Sequence, residues 1–310
     1  MSDYPGGVWS AAPTPFTDDW ALDLASVHRM VAHHVRLGIS GLFLAGTNGE
    51  GPWMPAADTR RLTRAVVQAV AGRMPVAVQV TDNSAARIIE NMRAAYEDGA
   101  DIAVIAPPFF LLNATAKNIL ALYRHAIGAS PLPVGIYDRG HAGAVVVPDA
   151  ALNALYAEKK VVLVKDSAAH AERMAIALEA KRRRPGLTLL NGWEFNCVPY
   201  LRAGYDGLLL GGGAFNGYLA RRIIDAVRDG KFTDADRLQR RMNRLMYDVY
   251  GGKAIACWLA GEKRLLQAMG VFTTWKNYLH YPLTAACERA IQRALVRERD
   301  VLLPAGDAHG

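Results

Sequence analysis

Four apolar residues, Val161-Val-Leu-Val164, run directly into Lys165, which is followed by Asp166 and Ser167. Such a run reads as a strand buried on both faces, the kind a parallel sheet uses, with an ammonium group at its carboxyl end. Burial disfavours the cation and lowers its pKa. A neutral amine is a nucleophile whose natural electrophile is a ketone or aldehyde carbonyl. On this stretch alone, a lysine that merely ends a strand and reaches out to water fits equally well. Two further stretches favour the nucleophile. Gly46-Thr47-Asn48-Gly49 is a tight turn whose N–H groups can converge on an anion, with Thr47 and Asn48 adding short side-chain donors. A 2-oxo acid offers that turn a carboxylate beside the ketone an amine attacks, and holding one group still helps the other react. Tyr137 closes the run Pro133–Tyr137 and can carry protons while a carbinolamine forms and dehydrates. The iminium on Lys165 would itself be the electron sink, so the expected chemistry needs no metal and no organic cofactor.

These groups must be carried to one place by the elements around them. Eight short apolar runs alternate with longer helical patterns: Val8–Ala12, Gly41–Gly46, Pro75–Val80, Ile102–Ala106, Pro133–Tyr137, Val161–Lys165, Thr188–Asn191 and Gly207–Leu210. Between them, apolar residues recur at helical spacing, as in Leu24, Val27, Val31 and Val35. Asp23, Ser84, Thr115 and Pro148-Asp149 mark helix starts, and Gly38, Gly72, Gly99, Gly128 and Gly204 mark expected stops. Eight strand–helix repeats predict a (β/α)8 TIM barrel in the α/β class. An open doubly wound sheet is the rival, but the G-x-G-x-x-G that should follow its first strand is missing. The barrel is expected over residues 1–230. Beyond it, residues 231–301 form a C-terminal helical extension with helices near 233–249, 253–269 and 284–299, and 302–310 form a disordered tail. In a barrel the strand ends meet at one mouth, which would gather Thr14-Pro-Phe16, the turn at 46–50, Pro107-Pro-Phe-Phe110, Tyr137-Asp-Arg139, Lys165-Asp166, Gly192-Trp-Glu194 and Gly211-Gly-Gly213.

Composition is that of an ordinary soluble globular chain: 310 residues, 51% apolar and 21% charged, with a formal net charge of +7. The arginines cluster in Lys181–Arg184 and around Arg237–Arg244, interleaved with acids, so solvated helix faces are expected rather than a nucleic-acid surface. Cys197, Cys257 and Cys287 are odd in number and widely spaced, which predicts reduced thiols in a cytoplasmic protein. No stretch reads as a signal or a membrane span. His33-His34 point to different sides of a helix and are expected to be structural, Lys253 to be a surface residue, and His141 and His170 to lie in loops near the mouth.

Taken in order, Gly46-Thr-Asn-Gly-Glu50, Tyr137-Asp138 and Val164-Lys165-Asp166 resemble the motifs of the dihydrodipicolinate synthase/N-acetylneuraminate lyase family of class I pyruvate-type aldolases. The resemblance spans essentially the whole chain. It implies a (β/α)8 barrel in which Lys165 forms the Schiff base, Tyr137 shuttles protons and Thr47 links the relay. It also implies that Thr47 and Asn48 hold the carboxylate of a 2-oxo acid while Leu209 covers the pyruvyl group. A homo-oligomer, commonly a tetramer, is implied too.

Departures from the family pattern bear on the branch. Phe109-Phe110 has no hydroxyl where the synthase branch supplies a relay tyrosine, and Arg139 arrives too early to match that branch's substrate arginine. Tyr-Asx-Arg and the glycine-rich turn at Gly211 are similar to the branch that dehydrates 2-keto-3-deoxy sugar acids, with Arg139 and Glu194 as specificity candidates. The leading expectation is therefore a lyase that dehydrates or cleaves a 2-keto-3-deoxy sugar acid through an imine on Lys165. A synthase-like condensation of pyruvate with an aldehyde is the alternative, and a catalytically silent carboxylate sensor the reading from another class.

Overall fold

The computed structural model describes residues 4–304. Eight parallel strands close into a barrel in chain order: β1 (Gly7–Ala11), β2 (Gly41–Leu44), β3 (Val76–Gln79), β4 (Ile102–Ile105), β5 (Val134–Asp138), β6 (Val161–Asp166), β7 (Thr188–Asn191) and β8 (Gly207–Leu210). The last strand pairs with the first, Leu209 lying opposite Trp9. Each is followed by its helix: α1 (Leu24–Leu37), α2 (Ala56–Val70), α3 (Ala85–Glu97), α4 (Ala116–Ala129), α5 (Asp149–Tyr156), α6 (Ala171–Arg183), α7 (Cys197–Ala203) and α8 (Gly213–Arg228). Four more follow: α9 (Phe232–Val249), α10 (Trp258–Ala268), α11 (Ala285–Arg297) and α12 (Arg299–Leu302).

The apolar runs have two destinations. Alternate residues fill the barrel interior, where Trp9, Phe43, Ala77, Val104, Leu163, Leu190 and Leu209 form one cluster with Tyr137. Their neighbours along each strand face outward onto the helices, so both faces of the sheet are covered. Helix ends follow local chemistry. The Asp23 carboxylate accepts from Ser26 N–H to cap α1, Ser84 caps α3, and Thr115 and Asn118 form a reciprocal capping box on α4. Gly38 ends α1 with φ 72°, the left-handed conformation that glycine adopts at least cost.

Three expectations change. Gly128 does not stop α4, which continues to Ala129 and turns at Ser130. The helix expected from 253 begins only at Trp258, because Gly251, Gly252 and Ile255 all take positive φ and hold 251–257 as a turn. Leu302, assigned to the tail, instead ends α12 and is buried; residues 305–310 lie outside the described chain. Lys253 is exposed in that turn, and all three cysteines are buried and free. No described helix is long and apolar enough to cross a membrane.

Candidate active site

The register of β5 against β6 sets the centre of the site. Tyr137 lies directly opposite Lys165, and one residue on Asp138 lies opposite Asp166. Alternation along the strands then points the first pair into the barrel and the second pair out towards the helices. Lys165 is 5% exposed, with its Nζ 4.2 Å from the centre of the Tyr137 ring and 4.9 Å from that of Phe43. The Phe43 and Tyr137 rings meet edge to face at 6.1 Å. The amine therefore sits at the bottom of a mouth walled by two aromatic rings.

Its electrostatics follow from that position. Burial pushes Lys165 below the ordinary lysine range, and Arg139 adds to the effect, while Tyr137 and Glu194 oppose it. Burial alone would raise Tyr137, but the charges of Lys165 and Arg139 and hydrogen bonds with Thr47 and Ser167 outweigh it and leave the phenol below its usual value. Both groups are shifted downwards, and each charge favours the other across the pair. A phenol paired with the amine across the strands is placed to exchange the proton that imine chemistry moves.

The backbone confirms why glycine follows β7. A Cβ on Gly192 would run into Ser167 Oγ and stand 3.0 Å from Lys165 Cε, so a side chain there would displace Ser167 and crowd the lysine stem. On the outer face, Asp166 accepts from Tyr205 O–H at 2.6 Å and Asp138 accepts from Gly140 N–H at 2.8 Å. Buried Arg173 lies between Asp138 (3.5 Å) and Asp149 (3.0 Å) and ties the end of β5 to the start of α5.

The turn after β2 brings its main chain to the same mouth. Ala45 and Glu50 flank it with φ 53° and 60°, values L-residues rarely adopt. Among the described residues, the N–H groups of Thr47, Asn48 and Gly49 meet no acceptor. Three adjacent free donors make an anion nest. The Asn48 side chain does something other than expected. Its amide is shared among Ala11 O (2.8 Å), Gly211 O (3.0 Å) and Glu262 Oε1 (3.3 Å), so what Asn48 has free for a carboxylate is its main-chain N–H.

Glu194 reaches the site from the loop after β7. It accepts from Gly212 N–H (2.7 Å) and Tyr250 O–H (3.0 Å), and its carboxylate lies beside Gly211. Burial raises its pKa against the pull of those donors and of Lys165. Arg139 stands beside the Lys165–Tyr137 pair, and among the described residues its guanidinium meets no carboxylate or carbonyl. Leu209 is buried in the inner cluster with Tyr137. His141 and His170 are exposed, their rings edge to face at 4.9 Å. Thus the fold brings Lys165, Tyr137, Thr47, Arg139, Glu194, Leu209 and Gly211 together. The sequence reading gave no role to Phe43 or Ser167, and placed Gly192 at the mouth without its reason. Ser167 lies two residues beyond the lysine, which is a signal, whereas the part of Phe43 and the close approach at Gly192 become visible only once strands are paired.

The sequence profile described as the dihydrodipicolinate synthetase family matches residues 4–296. The chain belongs to the dihydrodipicolinate synthetase family. A 4-hydroxy-tetrahydrodipicolinate synthase of Gluconacetobacter diazotrophicus is 30% identical over 240 residues, covering 76% of this chain and 79% of that one. The dihydrodipicolinate synthase of Thermotoga maritima superposes with a TM-score of 0.86 at 20% identity, covering 95% of this chain and 99% of its own. A prophage protein of the dihydrodipicolinic acid synthase family from E. coli K12, solved in complex with pyruvate, superposes at 0.83 with 20% identity over 95% and 98%. Members of this family are enzymes of the class I aldolase type, and so is this protein.

Proposed function

We propose that the protein forms a Schiff base between Lys165 and the ketone of a 2-oxo acid of the pyruvate class. The observation that carries this reading is the register that sets Tyr137 opposite a buried, pKa-lowered Lys165. The substrate carboxylate lies on the N–H groups of Thr47, Asn48 and Gly49, which orients the ketone carbon towards Nζ. Tyr137 takes the proton released as nitrogen attacks and returns it to the departing water, with Thr47 and Ser167 holding the phenol. Leu209 covers the pyruvyl methyl side. The imine then stabilises the adjacent carbanion as an enamine.

What that enamine does next divides the finer readings. The relatives carry the name of the synthase, which supports condensation of pyruvate with an aldehyde over the dehydration or cleavage of a deoxy sugar acid expected from the sequence. One observation favours the sugar acid: Arg139 and Glu194 offer a cation and a carboxylate at the mouth, while Phe109-Phe110 offers no hydroxyl. Borohydride reduction in the presence of pyruvate, followed by peptide mass spectrometry, is the deciding experiment. We expect a reduced adduct on Lys165 and none in Lys165→Ala; labelling elsewhere, or none in folded protein, would remove the imine. Assay with aspartate semialdehyde against 2-keto-3-deoxy acids then assigns the second step.

A further inference from the structure

Two consecutive residues of α10 reach into the turn at 46–50. Glu262 Oε1 accepts from the Asn48 amide at 3.3 Å, and Lys263 Nζ donates to Glu50 Oε1. Glu50, Glu262 and Lys263 have no exposed surface at all. Lys263 donates a second hydrogen bond to Lys276 O at 2.8 Å and lies 4.3 Å from the centre of the Phe16 ring, while Glu50 Oε2 accepts from Tyr278 N–H. Burial works against both charges of the pair and their contact opposes that. A dry ion pair is costly to form, and replacing it by apolar side chains often stabilises a protein. Barrel closure does not require one, since the eight strands already pair all round. What the grip does achieve is local. It holds Glu50 at φ 60°, on the flank of three unoccupied N–H groups.

We infer that α10 is the positioning element of the anion nest: Glu262 and Lys263 grip Asn48 and Glu50 so that the N–H groups of Thr47, Asn48 and Gly49 face the carboxylate of the 2-oxo acid. The inference rests on the imine reading above. Each contact has its own logic. Lys263 cancels the charge of Glu50, which would otherwise stand as an anion next to an anion site. Glu262 is buried, with Oε2 unpartnered and the Glu194 charge nearby, so it acts as a neutral acid. It can accept from Asn48 without repelling the substrate. Asn48 in turn ties the turn to β1 and to the residue after β8 through Ala11 O and Gly211 O.

The experiment measures borohydride trapping of pyruvate on Lys165 against pyruvate concentration, together with thermal unfolding. Lys263→Met is expected to raise the half-saturating concentration at least about tenfold, with the limiting trapping rate kept within about threefold, because the nest and not the amine is disturbed. Should that variant fail to fold, Lys263→Met with Glu50→Gln removes both buried charges and carries the same expectation. Glu262→Gln, which copies the neutral acid, keeps the wild-type half-saturation, and Glu262→Ala does not. Glu298, another fully buried carboxylate, is held by Arg241, Arg244 and Arg297 and touches none of the turn residues. Glu298→Gln lowers the melting temperature and leaves half-saturation unchanged. Equal rises in Lys263→Met and Glu298→Gln would reduce the grip to general stability and overturn the inference, as would folded Lys263→Met or Glu262→Ala protein that binds pyruvate with the wild-type half-saturation. Absence of wild-type labelling on Lys165 fells the imine reading first, and this inference with it.

Discussion

At Lys165 opposing neighbours set the pKa, and they can be removed separately. Imine formation needs the neutral amine, so its rate climbs as pH rises through the Lys165 pKa. Burial and Arg139 lower that pKa, whereas Tyr137 and Glu194 raise it. Removing the cation in Arg139→Met must therefore raise the pKa and move the ascending limb of the trapping rate to higher pH. Removing the anion in Glu194→Gln must lower the pKa and move the limb to lower pH. Opposite movements are the expected result in a pH series of pyruvate trapping; movement of both limbs in one direction would mean that one of the two charges does not act on the amine. The places of Lys165 and Tyr137 at the mouth were legible in the sequence because apolar runs lead straight into them. Glu262 and Lys263 were not. A Glu-Lys pair on a helix ordinarily faces water, and no periodicity shows that this one faces a turn more than two hundred residues earlier.

The elements themselves were legible because apolar runs and caps are local signals. All eight runs became strands: the first four stop short of their expected ends at the mouth, β5 and β6 run one residue further, to Asp138 and Asp166, and β7 and β8 match. Gly128 misled because an isolated glycine inside a helix costs only about 1 kcal/mol against alanine, which packing of Ile127 and Ala126 readily offsets. The paired histidines of α1 show what the sequence could state only as structural. His33 Nε2 donates to Ala214 O at 2.8 Å; His34 donates from Nδ1 to Met30 O at 2.9 Å and accepts from Ser10 O–H at Nε2. They join α1 to β1 and to the start of α8 as neutral rings. Burial lowers His33 to about 4 and His34 to about 3. Between the unfolded value of roughly 6.5 and those values, the unfolded chain binds more protons than the folded one. Stability therefore falls as pH drops through that window, by on the order of 3 kcal/mol for each ring. Urea midpoints at pH 7 and pH 5 should show the loss, and His34→Gln should lessen proton uptake on unfolding at pH 5 by roughly one proton. An unchanged slope in that variant would mean that the ring is protonated in the fold.

Across the whole molecule, charge and apolar surface are distributed differently. Much of the arginine excess is engaged in pairs, Arg183 with Glu179, Arg237 with Asp234, and Arg241, Arg244 and Arg297 around Glu298. The exposed pairs contribute little to stability, whereas those around Glu298 hold a buried carboxylate, and all of them break up any broad positive stripe. The apolar excess is concentrated. Phe110 is 61% exposed and Leu112 71% in the loop after β4, and Trp53 is 46% exposed just beyond the anion nest. Phe109 and the Gly51-Pro52 turn share the wall of one cavity of about 500 Å³, so the two loops adjoin. Large apolar side chains gathered on one exposed surface mark a contact with another protein. A second copy of this chain is the partner always present. We therefore expect light scattering to give a mass that is a multiple of the single chain, and Phe110→Asp with Leu112→Asp to shift it towards the monomer. Pyruvate trapping per chain in that dissociated variant would then show whether Lys165, Tyr137 and the nest suffice within one barrel. Retention of labelling makes association a matter of surface burial alone, whereas its loss would mean that a neighbouring copy completes the site. A wild-type protein that scatters as one chain at every concentration would leave the apolar loops to a different partner.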